Sequence, residues 1–291
     1  MQKTLLDMVN RGTKKEPELS FAKSDIEKRL CLPSGCFTSA GPVLPLVGAV
    51  VITVLFYGIL FFLPDTWFKV MFTKRGPVQY AIVFFSGWSV TILLLKHCKI
   101  ALQRRTLDLK ILPEDDPGFV ITPQSVDRVL ERIAESVDNP KHFILTRRIQ
   151  IALSNLRNLG NITDVDNILR TQADNDEALS SSSYTALRGF IWAIPVLGFI
   201  GTVLGLSQAL GAFGSVLSHA AQISELRDSL QLVTAGLATA FETTLVGLVA
   251  AMFIHLWMIA VQRREEQLLD ECKDYSQKYI VGRLRLMTGT N

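Results

Sequence analysis

The chain contains no G-x-x-x-x-G-K-[ST] loop, no G-x-S-x-G elbow, no H-E-x-x-H pair and no Rossmann glycine pattern. Those absences remove the common signatures of nucleotide hydrolysis, acyl transfer, zinc hydrolysis and hydride transfer, and the chain reads as a non-enzyme. Work done by such a protein has to draw on an ion gradient or on a partner. Charge of one sign is also missing. A net charge of +3 on 291 residues gives no footprint for nucleic acid. Cysteine is sparse: Cys31, Cys36, Cys98 and Cys272 form no C-x-x-C pair and no metal-ligand spacing. They read as free thiols, with a Cys31–Cys36 disulfide as the alternative. The first thirty residues are too polar for a secretory signal, so the first apolar span is expected to act as the insertion signal.

What the chain does have is long apolar runs. Val43 to Leu63 is uninterrupted and about the 20 residues that a bilayer core requires. Pro64 and Asp65 end it, and Trp67 and Phe68 suit an interface. Val78 to Leu95 is a second run, closed by Lys96-His97-Cys98-Lys99. The third covers 189–213 and the fourth 232–260, the latter long enough to project beyond lipid. These spans divide the chain into an arm (1–41), a peripheral hairpin (42–97), a middle domain (98–188), a channel-forming hairpin (189–261) and an exit helix (262–291). In the arm, Ser20 to Leu32 is compatible with a helix lying at the headgroups on Phe21, Ile26 and Leu30, or with a partly ordered tail. The middle domain repeats apolar residues at helical spacing over Ser125–Val137, Phe143–Leu156 and Ile162–Leu169, with Pro113, Pro117, Pro123, Pro140 and Gly160 as punctuation. No strand pattern interrupts it. The expected fold is all-α: four transmembrane helices with a helical domain between the second and third.

Basic residues set the orientation. The arm carries seven Lys and Arg, the middle domain twelve and the tail six, against three in the first hairpin loop and one in the second. The positive-inside rule then places both termini and the middle domain in the cytoplasm.

The third and fourth spans hold residues that lipid does not reward. On a helical wheel Gly236, Ala240, Thr243, Gly247 and Ala250 share one face, and Gly198, Gly201 and Gly205 share another with Thr202 beside them. Small faces allow close helix approach, and most are packing seams only. The hydroxyls of Thr202, Thr239, Thr243 and Thr244 can either hydrate a passing ion or bond their own helix carbonyls. Glu242 is the one carboxyl inside a span, about 15 Å along the expected helix. Charged against lipid it would cost about 3 kcal/mol, so it faces a partner or a wet cavity, or keeps its proton. Proton handling and buried hydrogen bonding are both open to it. Pro195 is expected to relax or kink the third span near its start.

At Pro195-x-Leu197-Gly198-x-x-Gly201-Thr202-Val203-x-Gly205 and Gly236-Leu237-x-Thr239-Ala240-x-x-Thr243-Thr244-x-x-Gly247-Leu248 the sequence resembles the MotA/TolQ/ExbB proton-channel family, over about Leu187 to Val261. Residues 1–188 match that family in topology only, following the four-span MotA-like plan. The resemblance implies a bacterial inner-membrane subunit that converts a proton or sodium gradient into rotary work. It implies five copies around two copies of a single-span MotB/TolR/ExbD-like partner, with the transported H+ or Na+ in place of any cofactor. By the same resemblance Thr202 and Thr244 face the ion path, with Thr239 and Thr243 close by. A glutamate of the ExbB and TolQ branch aligns with Thr239 here, three residues before Glu242. Gly198, Gly201, Gly205, Gly236, Ala240 and Gly247 become helix-packing or partner-facing positions. A passive membrane scaffold remains the alternative. A secondary transporter would need inverted repeats and broken helices, and neither is present.

Overall fold

Each apolar run folds as a helix, because lipid leaves backbone donors and acceptors no other partner than their own helix. The computed structural model describes residues 17, 19–30, 32–109, 121, 125–159, 162–219 and 223–284. Among them the elements are α1 (Phe21–Ser24), α2 (Ile26–Arg29), α3 (Val43–Phe62), α4 (Trp67–Thr73), α5 (Val78–Arg104), α6 (Val126–Ser136), α7 (Ile144–Leu159), α8 (Ile162–Ser183), α9 (Thr185–His219) and α10 (Ile223–Tyr275). The protein is all-helical, and four helices are long and apolar enough to cross a membrane. The only strand-like pairings among the described residues are two isolated bridges, Leu19 with Val137 and Ile121 with Leu284. The chain divides into two units: residues 1–39, 98–180 and 264–291 form unit 1, and residues 40–97 and 181–263 form unit 2.

In unit 2, α3 and α5 approach through glycine. A Cβ on Gly48 would lie 2.5 Å from the Thr91 methyl, and one on Gly87 would lie 3.2 Å from Ile52. Any larger side chain would hold the pair apart. An apolar cluster of Leu60, Met71, Phe72 and Val83, with Phe56, Tyr57 and Val246 against it, ties α4 and α10 to this pair. Phe190 of α9 packs on Phe85 and Trp88 of α5, with ring centroids 5.4 and 4.8 Å apart. Lys96 is fully buried, its ammonium 3.9 Å from the centre of the Tyr184 ring. A cation on an aromatic face keeps part of the stabilisation that burial would otherwise remove.

Two helices run past the expected apolar runs. The helix that carries the second run continues beyond Leu95, α5 ending at Arg104. The loop expected between 213 and 232 is largely helical, because Ser215–His219 extends α9 and Ile223 begins α10. Leu, Gln, Glu and Arg in that stretch are good helix formers, and no glycine or proline after Gly214 stops them. Pro195 sits within α9, which is helical on both sides of it. The serine run Ser180–Ser183 closes α8, and Tyr184 alone separates it from α9.

Unit 1 gathers three stretches that the sequence presents as separate: arm, middle domain and tail. The arm is not a headgroup helix. It forms two short helices, with Phe21 buried against His142 (4.8 Å, stacked) and Phe143 (5.6 Å, edge-on). Ile26 and Leu30, expected beside it on one apolar side, are exposed. A break at Asp25, extended at φ −80° and ψ 124°, separates the two turns and destroys the common face. Buried charges then lock the arm in place. The Lys99 ammonium meets Glu27, Ser34 Oγ (3.1 Å) and the Ser39 carbonyl (2.7 Å), and Thr38 donates to Glu265. Arg148 of α7 is ion-paired with Asp176 of α8 at 2.8 Å.

Residues 1–16, Cys31, Pro113, Pro117, Pro123, Gly160 and 285–291 lie outside the described residues. Cys36, Cys98 and Cys272 are free thiols.

Candidate functional site

The glycines of α9 and the small residues of α10 meet one another. A Cβ on Gly198 would stand 3.0 Å from the Thr243 carbonyl oxygen and 3.1 Å from Thr244 Cα. One on Gly205 would stand 2.6 Å from both Ala240 N and the Gly236 carbonyl oxygen, and one on Gly236 would stand 2.7 Å from the Gly205 carbonyl oxygen. Gly247 faces the Ile194 carbonyl and Gly198, and Gly201 faces the Thr243 side chain. Thus Gly198, Gly201, Gly205, Gly236, Ala240 and Gly247 line one seam inside the chain. At Gly205 and Gly236 the nearest contacts are backbone atoms, which cannot rotate away as a side-chain tip can, so the spacing there favours hydrogen; at Gly201 they are with the Thr243 side chain.

The four threonines separate by depth. Thr243 is fully buried in the seam, its hydroxyl donating to Thr239 O (2.9 Å) and near Ala240 O and Gly198 O. Thr239 is buried and donates to Ala235 O at 2.9 Å. Thr244 is only half-buried, with its hydroxyl 3.1 Å from Gly198 O and 3.2 Å from Ala240 O. Thr202 is half-buried and donates to Phe199 O. Within one chain, therefore, Thr202 and Thr244 reach the surface of the hairpin while Thr239 and Thr243 face inward. A hydroxyl that donates to a carbonyl still offers its oxygen lone pairs outward, which is what a hydrated cation or hydronium would use.

Glu242 is engaged elsewhere. Arg75 Nε lies 2.7 Å from Glu242 Oε2 and Arg75 Nη2 lies 3.2 Å from Oε1, a two-pronged pair. Trp67 Nε1 donates to Oε1 at 3.2 Å, and Arg75 Nη1 reaches the Ala235 carbonyl at 3.4 Å. The side chains of Arg75 and Glu242 are 16% and 13% exposed. Sequence spacing suggested a carboxyl well inside a span that starts at 232. In the structure Glu242 lies against the segment between α3 and α5, where Arg75 and Trp67 supply a cation and an indole. Sequence reading missed Arg75, counted there only as one of three loop charges. The signal that could have found it was the pairing demand of an isolated carboxyl.

Outward from the seam the hairpin is apolar: Trp192, Phe199 and Leu210 on α9 and Phe241, Leu248 and Phe253 on α10 are exposed. Among the described residues no group of three His, Cys, Asp or Glu could hold a metal ion.

Residues 136–274 match the model of the MotA/TolQ/ExbB proton channel family. The match begins about fifty residues upstream of Leu187, so α7 and α8, first read as alike in topology only, carry family character too. No curated protein and no solved structure matches the chain. The α9–α10 pair that forms the seam and the α7–α8 pair thus fall in the segment that is similar to the MotA/TolQ/ExbB proton channel family, in a chain with four helices long and apolar enough to cross a membrane.

Proposed function

We propose that the chain is the channel-forming stator subunit of an ion-driven motor in a bacterial inner membrane, with both termini and unit 1 on the cytoplasmic side. Five copies would surround two copies of a single-span MotB/TolR/ExbD-like partner, and H+ or Na+ would cross beside Thr202 and Thr244. The observation that carries this reading is the division of the hydroxyls. Glycine packing is satisfied within the α9–α10 hairpin, and it leaves two threonines presented outward among apolar residues. Lipid would not favour those two positions, whereas a partner helix carrying an ionisable group would.

Each elementary charge crossing supplies about 2.3 kcal/mol per 100 mV. That suffices for one small step per ion if protonation of the partner carboxylate changes which subunit it favours. Five subunits cannot present the same surface to two inner helices at once, so stepwise rotation follows from the mismatch. Glu242 serves as an anchor in this scheme. Paired with Arg75, it holds α10 to the α3–α5 hairpin.

Native mass spectrometry of the protein co-expressed with a neighbouring single-span protein tests the assembly. A pentamer retaining two copies of the guest is expected, and a monomer alone rejects the reading. Replacing Thr202 or Thr244 with Val is expected to reduce ion-dependent function while the assembly survives. A passive scaffold would be indifferent to both substitutions.

A further inference from the structure

Unit 1 contains a cleft that the ion path does not use. Its volume is about 650 Å³, within the range typical of small-molecule sites. Arg147, Lys141 and His142 line it together with Phe37, Ile151 and the amide of Asn155, and no acidic side chain is among its lining residues. The carboxylates around it are committed. Asp138 accepts from Ser20 Oγ, Ala22 N and Asn139 N, and Asp25 accepts from Ser34 Oγ. Asp176, the acid that Arg147 feels, is held by Arg148.

Arg147 and His142 are held rather than free-swinging. The Arg147 guanidinium stacks 5.0 Å from the centre of the Phe37 ring, and no described side chain takes a hydrogen bond from it. Phe37 itself has φ 52°, the only non-glycine residue with positive φ among those described. A bulky side chain there costs free energy, and such strain concentrates at ligand sites. The arrangement sets an arginine cation over an aromatic ring in the cleft wall, and its N–H edge suits a two-pronged grip on phosphate. Lys28 adds a further cation, its ammonium 3.3 Å from His142 Nε2.

We propose that this cleft binds a soluble organic phosphate carrying a planar ring, the chemistry of a nucleotide: Arg147 and Lys141 hold the phosphate, and Asn155, whose Nδ2 donates to the Ile151 carbonyl at 2.9 Å, accepts from the edge of the ring through Oδ1. His142, whose proton affinity is lowered by burial and by Lys28, would gain proton affinity beside the bound anion.

Isothermal titration of the full-length, detergent-solubilised protein with ADP tests this, with pyrophosphate and a short-chain phosphatidic acid as separate arms. ADP is expected to bind more tightly than pyrophosphate, at least tenfold more weakly in Lys141→Ala, and more weakly in Arg147→Lys, which keeps the charge and loses the planar stack. Lys141 is exposed, so its replacement leaves the fold standing, and an unchanged melting curve verifies this. No binding of ADP overturns the proposal. So does binding that ignores both substitutions, pyrophosphate binding as tightly as ADP, or binding confined to phosphatidic acid.

Discussion

A carboxylate buried beside an arginine has most of its value in the pair, and little in either partner alone. Glu242→Gln leaves the Arg75 guanidinium without its counter-charge at 16% exposure. The expected loss is about 3 kcal/mol, read as a lower melting temperature of the detergent-solubilised protein. Arg75→Met with Glu242→Met together should recover most of it, because apolar neighbours tolerate an apolar pair. If Glu242→Gln abolished ion-dependent function with melting unchanged, the anchoring role would be wrong. Titratable groups in unit 1 add a pH dependence. Burial tends to raise the Asp138 carboxyl, but hydrogen bonds from Ala22, Phe21, Ser20 and Asn139 outweigh it and hold the group below the usual carboxylate range. Its contribution is present above the unfolded value and lost as pH falls through the lowered one. His142 is likewise depressed, by burial and by Lys28, so it binds its proton less well folded than unfolded. Its contribution is intact above the ordinary histidine range, declines as pH falls through that range, and stops declining below the folded value. Unit 1 should therefore soften as pH falls through the ordinary histidine range. His142→Gln should remove that part of the dependence, as followed by tryptophan-independent helix melting.

At the scale of helices, the α9–α10 seam is the most exacting contact in unit 2. Gly205→Ala would place a methyl 2.6 Å from two backbone atoms of α10, which cannot yield without shifting the helix. Overpacking of this kind costs about 1–3 kcal/mol, and a wider seam would also displace Thr202 and Thr244 together. Gly211→Ala on the same helix meets nothing within 4 Å and should melt no lower than the parent. Comparing the two by thermal melting isolates packing from helix propensity, since both replace glycine by a better helix former. Equal melting of the pair would mean that the seam is looser than its backbone spacing indicates.

At the scale of the whole chain, unit 1 depends on its first segment although that segment is remote in sequence from the rest. Phe21 is buried against Phe143, and Lys99 has Glu27 as its main counter-charge. Deleting residues 1–39 strands the Lys99 ammonium at a cost of about 3–5 kcal/mol, before counting lost apolar burial. Limited proteolysis should then cut within 98–180, while the spans of unit 2 stay protected by lipid or detergent. Protection of 98–180 in the truncated protein would show that the arm is dispensable.

The four spans, the all-helical class and the family motifs were legible in sequence because each depends on local pattern. A bilayer-length apolar run has few other fates, and glycine or threonine at helical spacing shows on the helical wheel. Partners were not legible. That Gly198 faces Thr244, that Arg75 takes Glu242, and that Phe21 lies under His142 are pairings across 46, 167 and 121 positions. The wheel showed which face of α9 or α10 was small, while the direction each face took depended on the helix opposite. Sequence alone determined what must cross the membrane; tertiary packing decided which threonines were left to meet an ion, because burial is a property of neighbours and not of spacing.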